Sequence, residues 1–411
     1  MQNIPKTNSS TQRHFGLLAT LLAGLAMLGP FSVDTYLPAF PQIQASLHAS
    51  ELEVQQTLAV YMIAFSVMTL WHGAFSDSFG RRNIILFSLF VYGIATLGCA
   101  AAHSVQYLWA FRILQGLSAG AGTVVGRAII RDLYQGAPAA KLLSMVTMIF
   151  SIGPGIAPII GGLIVKWLDW RSIFLFIFGY TCFLLWLSWR YLPESLAPQH
   201  RQPFNAQSLW QSYSKILSNT PFYLLAGTVA LNFSGMFIYI ASAPVFITRH
   251  LGLGPEQFSW QFIPMVSGIF LGALFANRLA GKMPLRRQVN IGYAIALSAA
   301  ALNVLYHAWL PPALPYSVMP LFFFTFGISI VAPGATLLLL ELFPQLLGTV
   351  SSCQSFLVSM LAGFTAGVLS PIMSGKVLWL AAGQFGFGIL GLSCWMLAQR
   401  YKQNHCVHKS N

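Results

Sequence analysis

Asp34 is the residue in this sequence best placed to do chemistry, because it is an acid within an apolar run. It sits in PFSVDTYLPAFP, residues 30–41, which close the first long hydrophobic stretch. The remaining acids, Glu51, Glu53, Asp77, Asp132, Asp169, Glu194, Glu256 and Glu341, fall in loops or at the ends of such stretches. A carboxyl group at membrane depth is costly, so its presence points to proton or ion handling. Pro38 removes the helical bond to the carbonyl of Asp34, and Pro41 removes that to Leu37, so the helix is expected to loosen where the acid sits. The competing reading ends the stretch near Val33 and leaves Asp34 in an outer loop.

A second ionisable group lies in LWAFRILQGLSAGAGTVVGRAIIRDLY, which begins at Leu108. Arg112, Gln115, Gly116, Ala119, Thr123 and Gly126 recur at three- and four-residue steps and form one small and polar stripe on an apolar helix. An arginine on such a stripe belongs in a bundle interior. With outer ends near residues 40 and 106, Asp34 and Arg112 each lie ~9 Å deep at ~1.5 Å per residue. The two charges share a level. Contact with Asp34 and bonding to backbone carbonyls both remain open for Arg112.

These groups need a membrane to matter, and composition supplies one. Of 411 residues, 56% are hydrophobic and 8% charged, whereas soluble domains carry about 25% charged residues. The chain is expected to be an all-α membrane protein with the lipid bilayer as its surroundings. Its net charge of +13 is spread thinly over short segments, so no nucleic-acid partner is expected. The cysteines show no paired spacing, and the first apolar run lacks a small-residue cleavage site, so it reads as a retained span. His405, Cys406 and His408 make at most half a metal site, and no metal is expected. No phosphate-binding glycine loop occurs, and no cofactor is implied.

Runs of roughly 20 apolar residues predict twelve spans. They cover residues 15–40, 53–74, 84–102, 106–130, 139–166, 171–191, 220–248, 257–280, 288–307, 312–340, 347–373 and 376–399. Lys6, Arg13, Arg81, Arg82, Arg131, Lys141, Arg190, Arg201, Lys215, Arg278, Lys282, Arg286, Arg287, Arg400, Lys402 and Lys409 fall on one side. Only Lys166, Arg171, Arg249 and Lys376 fall on the other, which puts both termini in the cytoplasm. The longest polar interruption lies at the midpoint and divides the chain into a six-helix bundle (1–192), a cytoplasmic linker (193–219) and a second six-helix bundle with a tail (220–411). FSDSFGRR at 75–82 is echoed by FANRLAGK at 275–282, as expected of a duplicated unit.

The loop GAFSDSFGRR, residues 73–82, resembles the G-x-x-x-D-x-x-G-R-R signature of the major facilitator superfamily. That resemblance implies two pseudo-symmetric six-helix bundles and makes Gly73, Asp77, Gly80, Arg81 and Arg82 a conformational latch, with Arg127 or Arg131 as partner to the acid. The R-x-x-Q-G of Arg112 is similar to a motif of proton-coupled members. SIGPGIAPIIGGLI resembles the antiporter motif through Gly153, Pro154, Gly161 and Gly162, with Ala157 and Pro158 where glycine and proline are usual. The glycines permit very close packing, and the prolines let the helix kink.

SVDTYLPAFP, YMIAF at 61–65, RDLY at 131–134, WRSIF at 170–174 and ELFPQLLGTVSS at 341–352 carry the likeness further. The chain resembles the Bcr/CflA drug-resistance transporters of bacteria, with Thr69, His72 and Ala74 as departures in span 2. The resemblance implies a monomer in the inner membrane that exports small molecules in exchange for protons, with Asp34 and Arg112 coupling the two. Tyr36, Tyr61, Phe65, Gln115, Asn232, Met236, Phe237, Tyr239 and Gln354 are the expected substrate contacts, since aromatics and methionine with a few polar groups suit an adaptable pocket. A symporter or facilitator for a nutrient is the nearest alternative. A membrane-embedded enzyme would need a convergent nucleophile, base or metal set, and the spans offer none.

Overall fold

The computed structural model describes residues 9–201 and 203–407, and every regular element among them is helical. Twelve helices are long and apolar enough to cross a membrane. In chain order they are α1 (Phe15–Leu47), α2 (Glu51–Phe79), α3 (Arg81–Ala100), α4 (Val105–Leu133), α5 (Lys141–Trp167) and α6 (Arg171–Tyr191). Then follow α7 (Thr220–Ala241), α8 (Pro255–Leu279), α9 (Leu285–Trp309), α10 (Met319–Glu341), α11 (Leu347–Met373) and α12 (Val377–Tyr401). All twelve expected spans are present, and most ends fall within a few residues of their expected positions.

The first span is the main departure. It runs on to Leu47 because the chain re-enters an α-helix at Phe40, after Pro38, so Asp34 lies well inside it. Asp34 thus stands at a break within this helix and not in the loop that follows Leu47. α2 begins at a capping box, in which Glu53 N–H donates to Ser50 Oγ at 3.2 Å and Ser50 N–H donates to Glu53 Oε2 at 2.8 Å. These two bonds satisfy donors that a helix start otherwise leaves free. α2 ends at Gly80, whose φ of 95° is open to glycine at little strain.

Helix pairing repeats between the halves. α1 packs on α4, α5 and α6, α2 on α4, and α3 on α4 and α6. The same pairs recur six helices later: α7 on α10, α11 and α12, α8 on α10, and α9 on α10 and α12. The halves meet through α2 against α11 and α5 against α8, two contacts that interchange under the same six-helix offset. A pseudo-two-fold relation between six-helix units follows.

Helices in lipid gain little from apolar contact alone, so small residues set these seams. A Cβ on Gly363 would lie 2.9 Å from Ile63, and one on Gly367 would lie 2.7 Å from Ala59. The halves are tied on the face remote from the chain ends, where Arg249 pairs with Glu51 at 3.0 Å and Lys166 with Glu256 at 3.5 Å. On the face that carries the chain ends, the connecting helix Ala206–Leu217 bridges the halves. It packs on α11, and its Tyr213 hydroxyl donates to the Leu70 carbonyl of α2. Burial, followed by the nearby Cys353, pushes the Tyr213 phenol up, which keeps it a donor through neutral pH.

Candidate functional site

Asp34 ends the first helical segment of α1. A turn at Thr35 and Tyr36 and a tight helix at Leu37–Ala39 follow before the α-helix resumes at Phe40. The prolines place the break where the freed carbonyls predict it. Asp34 is 5% exposed, and its carboxyl group accepts no hydrogen bond from a described residue.

Arg112 is fully buried. Its Nη1 donates to the Ser32 carbonyl at 3.1 Å and to Gln115 Oε1 at 2.7 Å. The guanidinium lies between two rings, 4.7 Å from the Tyr36 centroid and 4.3 Å from that of Tyr61, an arrangement that disperses charge over aromatic faces. No salt bridge joins it to Asp34, and Nε and Nη2 have no partner. Shared depth therefore does not become contact in this conformation, because rings and a carbonyl occupy the nearer edges of the guanidinium. The network continues from Gln115 Nε2 to Thr96 Oγ1 at 2.9 Å, and Ser32 Oγ meets the Tyr92 hydroxyl. Tyr36 is held by Thr57 at 2.8 Å.

The α5 glycines connect this centre to the other half. A Cβ on Gly161 would stand 2.0 Å from the Thr35 carbonyl oxygen, at the break in α1. One on the adjacent Gly162 would stand 2.2 Å from the Pro255 carbonyl oxygen, at the start of α8. Gly153 faces Met27 on α1, and Gly155 faces Val266 on α8. One helix thus packs at backbone distance on both sides. Pro154 and Pro158 lie within a continuous helix, Gly136–Trp167.

The loop between α2 and α3 has other partners than expected. Asp77 pairs with Arg81 one turn on, and not with Arg127 or Arg131. Arg81 is buried, donates from Nη1 to Ser76 Oγ at 2.7 Å, and donates from Nε to Asp132 Oδ2 at 3.0 Å. Asp132 also accepts from Ser195 Oγ at 2.9 Å, and Glu194 Oε1 accepts the Arg81 backbone N–H at 3.0 Å. A carboxylate at that helix start meets free N–H groups and a favourable dipole. Arg82 Nη2 donates to the Trp189 carbonyl, and Gly73 packs near Val124 on α4. Asp132 and Glu194 are the participants that sequence reasoning missed. Their only sequence signal was an acid beside a span end.

The expected substrate contacts separate. Tyr36, Tyr61 and Gln115 gather at Arg112, and Phe65 stacks on Tyr61 with centroids 6.4 Å apart. Met236, Phe237 and Tyr239 all lie in the large buried apolar core that also holds Tyr36 and Tyr61. The polar atoms of Asn232 and Tyr239 bond within the second half. Asn232 Nδ2 donates to the Tyr293 hydroxyl at 3.0 Å, and the Tyr239 hydroxyl accepts from Asn303 Nδ2 at 2.8 Å. Asn303 also reaches Gln384 Oε1 at 3.2 Å. Gln354 Nε2 donates to Thr336 Oγ1 at 2.9 Å, tying α11 to α10. A mostly apolar cavity of about 680 Å³ lies along the α2, α7 and α11 seam, with Gln56, Trp109 and Tyr223 in its wall. It contains none of the expected contacts, so the charged centre is the better candidate site. No cluster of metal-ligating side chains occurs among the described residues, and the tail trio His405, Cys406 and His408 lies outside them in its side chains.

Comparison with known proteins bears on what such an arrangement does. Residues 22–367 match the family model described as Major Facilitator Superfamily. The uncharacterized MFS-type transporter YdgK of Bacillus subtilis is 31% identical over 360 residues, 87% of this chain and 88% of that one. Multidrug resistance protein D of Escherichia coli is 28% identical over 400 residues, covering 94% of this chain and 96% of that one. Among solved structures, a D-xylose-proton symporter superposes with a TM-score of 0.71 at 16% identity, covering 94% of this chain and 97% of that one.

Proposed function

The chain belongs to the major facilitator superfamily, and on that premise we propose that it is a proton-coupled antiporter exporting small molecules from the cytoplasm by alternating access. It is a multi-pass membrane transporter and not an enzyme. The observation that carries the export reading is the Asp34 centre: a buried carboxyl group at a helix break, unpaired, with a buried arginine nearby and the α5 glycines packed on the break.

In the proposed cycle Asp34 alternates between protonated and ionised forms. The ionised form is tolerable because Arg112 supplies positive charge in the same buried cluster, and the rings of Tyr36 and Tyr61 hold that guanidinium in place. Substrate and proton compete at Asp34, so only one of them crosses in each direction. Gly161 and Gly162 transmit the change, since α1 cannot shift at Thr35 without pressing on α5, and α5 bears directly on α8.

The lysine and arginine distribution supports a bacterial inner-membrane location with both chain ends cytoplasmic. Under that orientation the two ion pairs between the halves lie on the outer side. The bundles are taken as 1–192 and 220–411, joined by the linker 193–219, and the working unit as a monomer. The cluster of Asp77, Arg81, Asp132 and Glu194 acts as the latch that fixes the α2–α3 loop to α4 and the linker.

Purified protein in proteoliposomes provides the test. Asp34→Asn is expected to reduce proton-driven substrate exchange to background. Undiminished exchange would overturn the assignment, and uptake driven by an inward proton gradient would establish symport in its place.

A further inference from the structure

The segment between the halves reads as a cytoplasmic linker in the sequence, yet its helix Ala206–Leu217 stands level with the membrane boundary. Two contacts set that depth. The Tyr213 hydroxyl donates to the Leu70 carbonyl, which lies four residues before the apolar stretch of α2 closes at residue 74 and nine before the helix ends at Phe79. At ~1.5 Å per residue that carbonyl is ~6 Å inside the end of the stretch and ~13 Å back from the end of the helix. Just ahead of the connecting helix, Phe204 packs on Trp71 and Phe75, with ring centroids 6.2 and 5.3 Å apart. The polar layer on each side of the hydrocarbon is roughly 5–7 Å thick. A helix held at these points runs within that layer and not in bulk water.

The surroundings of the helix show which side of the seam it occupies. It packs on α7 and α11 and reaches α2, and these three helices wall the apolar cavity of the seam. Ile63, Tyr223, Phe364 and Val368 in that wall are all exposed. Exposed apolar side chains at bilayer depth meet hydrocarbon, whereas an aqueous mouth between the halves would carry polar ones. The connecting helix therefore crosses the seam on its lipid side.

The residues of the helix are sorted to match. Leu209, Trp210, Tyr213, Ile216 and Leu217 share one arc of about 120°. Tyr213 and Ile216 are buried against the bundle, and Leu209 and Leu217 are half-buried. Trp210, at the edge of the same arc, is 71% exposed. At headgroup level the body of an indole meets the ends of the acyl chains while its N–H meets ester and phosphate oxygens, which is why tryptophan collects in that layer. Gln207, Gln211 and Lys215 lie on the opposite arc and are exposed, as on a helix that floats with one face in the interface and the other in water. We propose that helix Ala206–Leu217 lies in the headgroup layer of the cytoplasmic leaflet, with Trp210 inserted among the phospholipids where the α2–α11 seam reaches the membrane surface. The bilayer is then a partner at the point where the two halves are joined.

The test uses the full chain in vesicles of phosphatidylethanolamine and phosphatidylglycerol that contain phosphatidylcholine brominated either near the headgroup end or near the tip of its chains. The emission of the unaltered protein minus that of Trp210→Phe reports Trp210 alone. This difference component is expected to be lost with the shallow bromines, to survive the deep ones, and to be shielded from iodide added on the cytoplasmic side. Gln211→Trp in the Trp210→Phe background moves the probe to the opposite arc, and the reverse pattern is expected there, with iodide quenching and little effect of bromine. A Trp210 component lost to iodide and indifferent to bromine would overturn the proposal by placing the helix in the cytoplasm. Indifference to both quenchers would overturn it by placing the ring against protein, and bromine quenching at both positions would do so by sinking the whole helix in hydrocarbon. None of these outcomes bears on the antiport reading, which the Asp34→Asn exchange assay decides separately.

Discussion

Ser32 and Tyr92 meet in the first half of the chain, and Asn232 and Tyr293 meet in the second at an offset of about 200 residues. The duplicated scaffold thus places one polar contact between equivalent helices, α1 with α3 and α7 with α9. What surrounds that contact differs. In the first half it borders Arg112 and Asp34. In the second, a separate contact further along the same helices joins Asn303 to Tyr239 and Gln384, all neutral. A buried neutral network holds helices together whatever the pH, whereas a buried acid and arginine respond to the proton. The first half is therefore suited to coupling, and the second to carrying the motion rigidly.

Removing the charge on the first-half side should break this division most severely. Arg112→Gln is expected to reduce proton-driven exchange to background, because an ionised Asp34 then has no buried cation near it. Exchange assays across a pH series check this. Rates that match the unaltered protein at every pH would show that the charge asymmetry has no role in coupling.

The contact between the halves comes next. Gly161→Ala puts a methyl group 2.0 Å from a backbone oxygen, and backbone yields less readily than a side-chain end. Overpacking of this kind costs ~1–3 kcal/mol. A lower melting temperature in detergent and slowed exchange are expected together. A variant that melts normally would mean that α1 and α5 are not locked as the geometry implies.

Asn303→Leu tests the neutral side. It deprives the Tyr239 hydroxyl and Gln384 Oε1 of a donor. Polar contacts between membrane helices contribute ~1–2 kcal/mol at most, so a modest fall in melting temperature is expected. The number of protons moved per substrate should not change. A changed stoichiometry, read from paired substrate and pH traces, would place coupling in both halves.

Much of this was legible in the sequence, and the illegible part has a common cause. Span positions follow from apolar length, and the break at Asp34 from Pro38 and Pro41. The equal depth of Asp34 and Arg112 was a matter of counting. Helix rotation was not, and rotation decides that Arg112 turns to Tyr36, Tyr61 and the Ser32 carbonyl, and that the polar atoms of Asn232 and Tyr239 bond within their own bundle. The far end of α1 was missed because PQIQASL is too polar to read as span, although it is helical to Leu47. Asp132 and Glu194 could not be assigned, since Arg81 reaches them only after α4 and α6 have packed beside the loop.

His72 separates the two kinds of polar group within one half. It is 1% exposed on α2, and its ring leans toward the Met68 carbonyl without completing a hydrogen bond. A Cβ on Gly120, where α4 is interrupted, would lie 3.2 Å from its Nδ1. The ring fills space against α4 and gains nothing from its nitrogens, and an unsatisfied buried polar group destabilises by ~1–3 kcal/mol. His72→Phe keeps a flat ring of similar size and removes those atoms, so the melting temperature should rise slightly and proton coupling should stay as it is. Loss of the pH response in this variant would mean that His72 titrates during the cycle, and that the first half carries a second proton site beside Asp34.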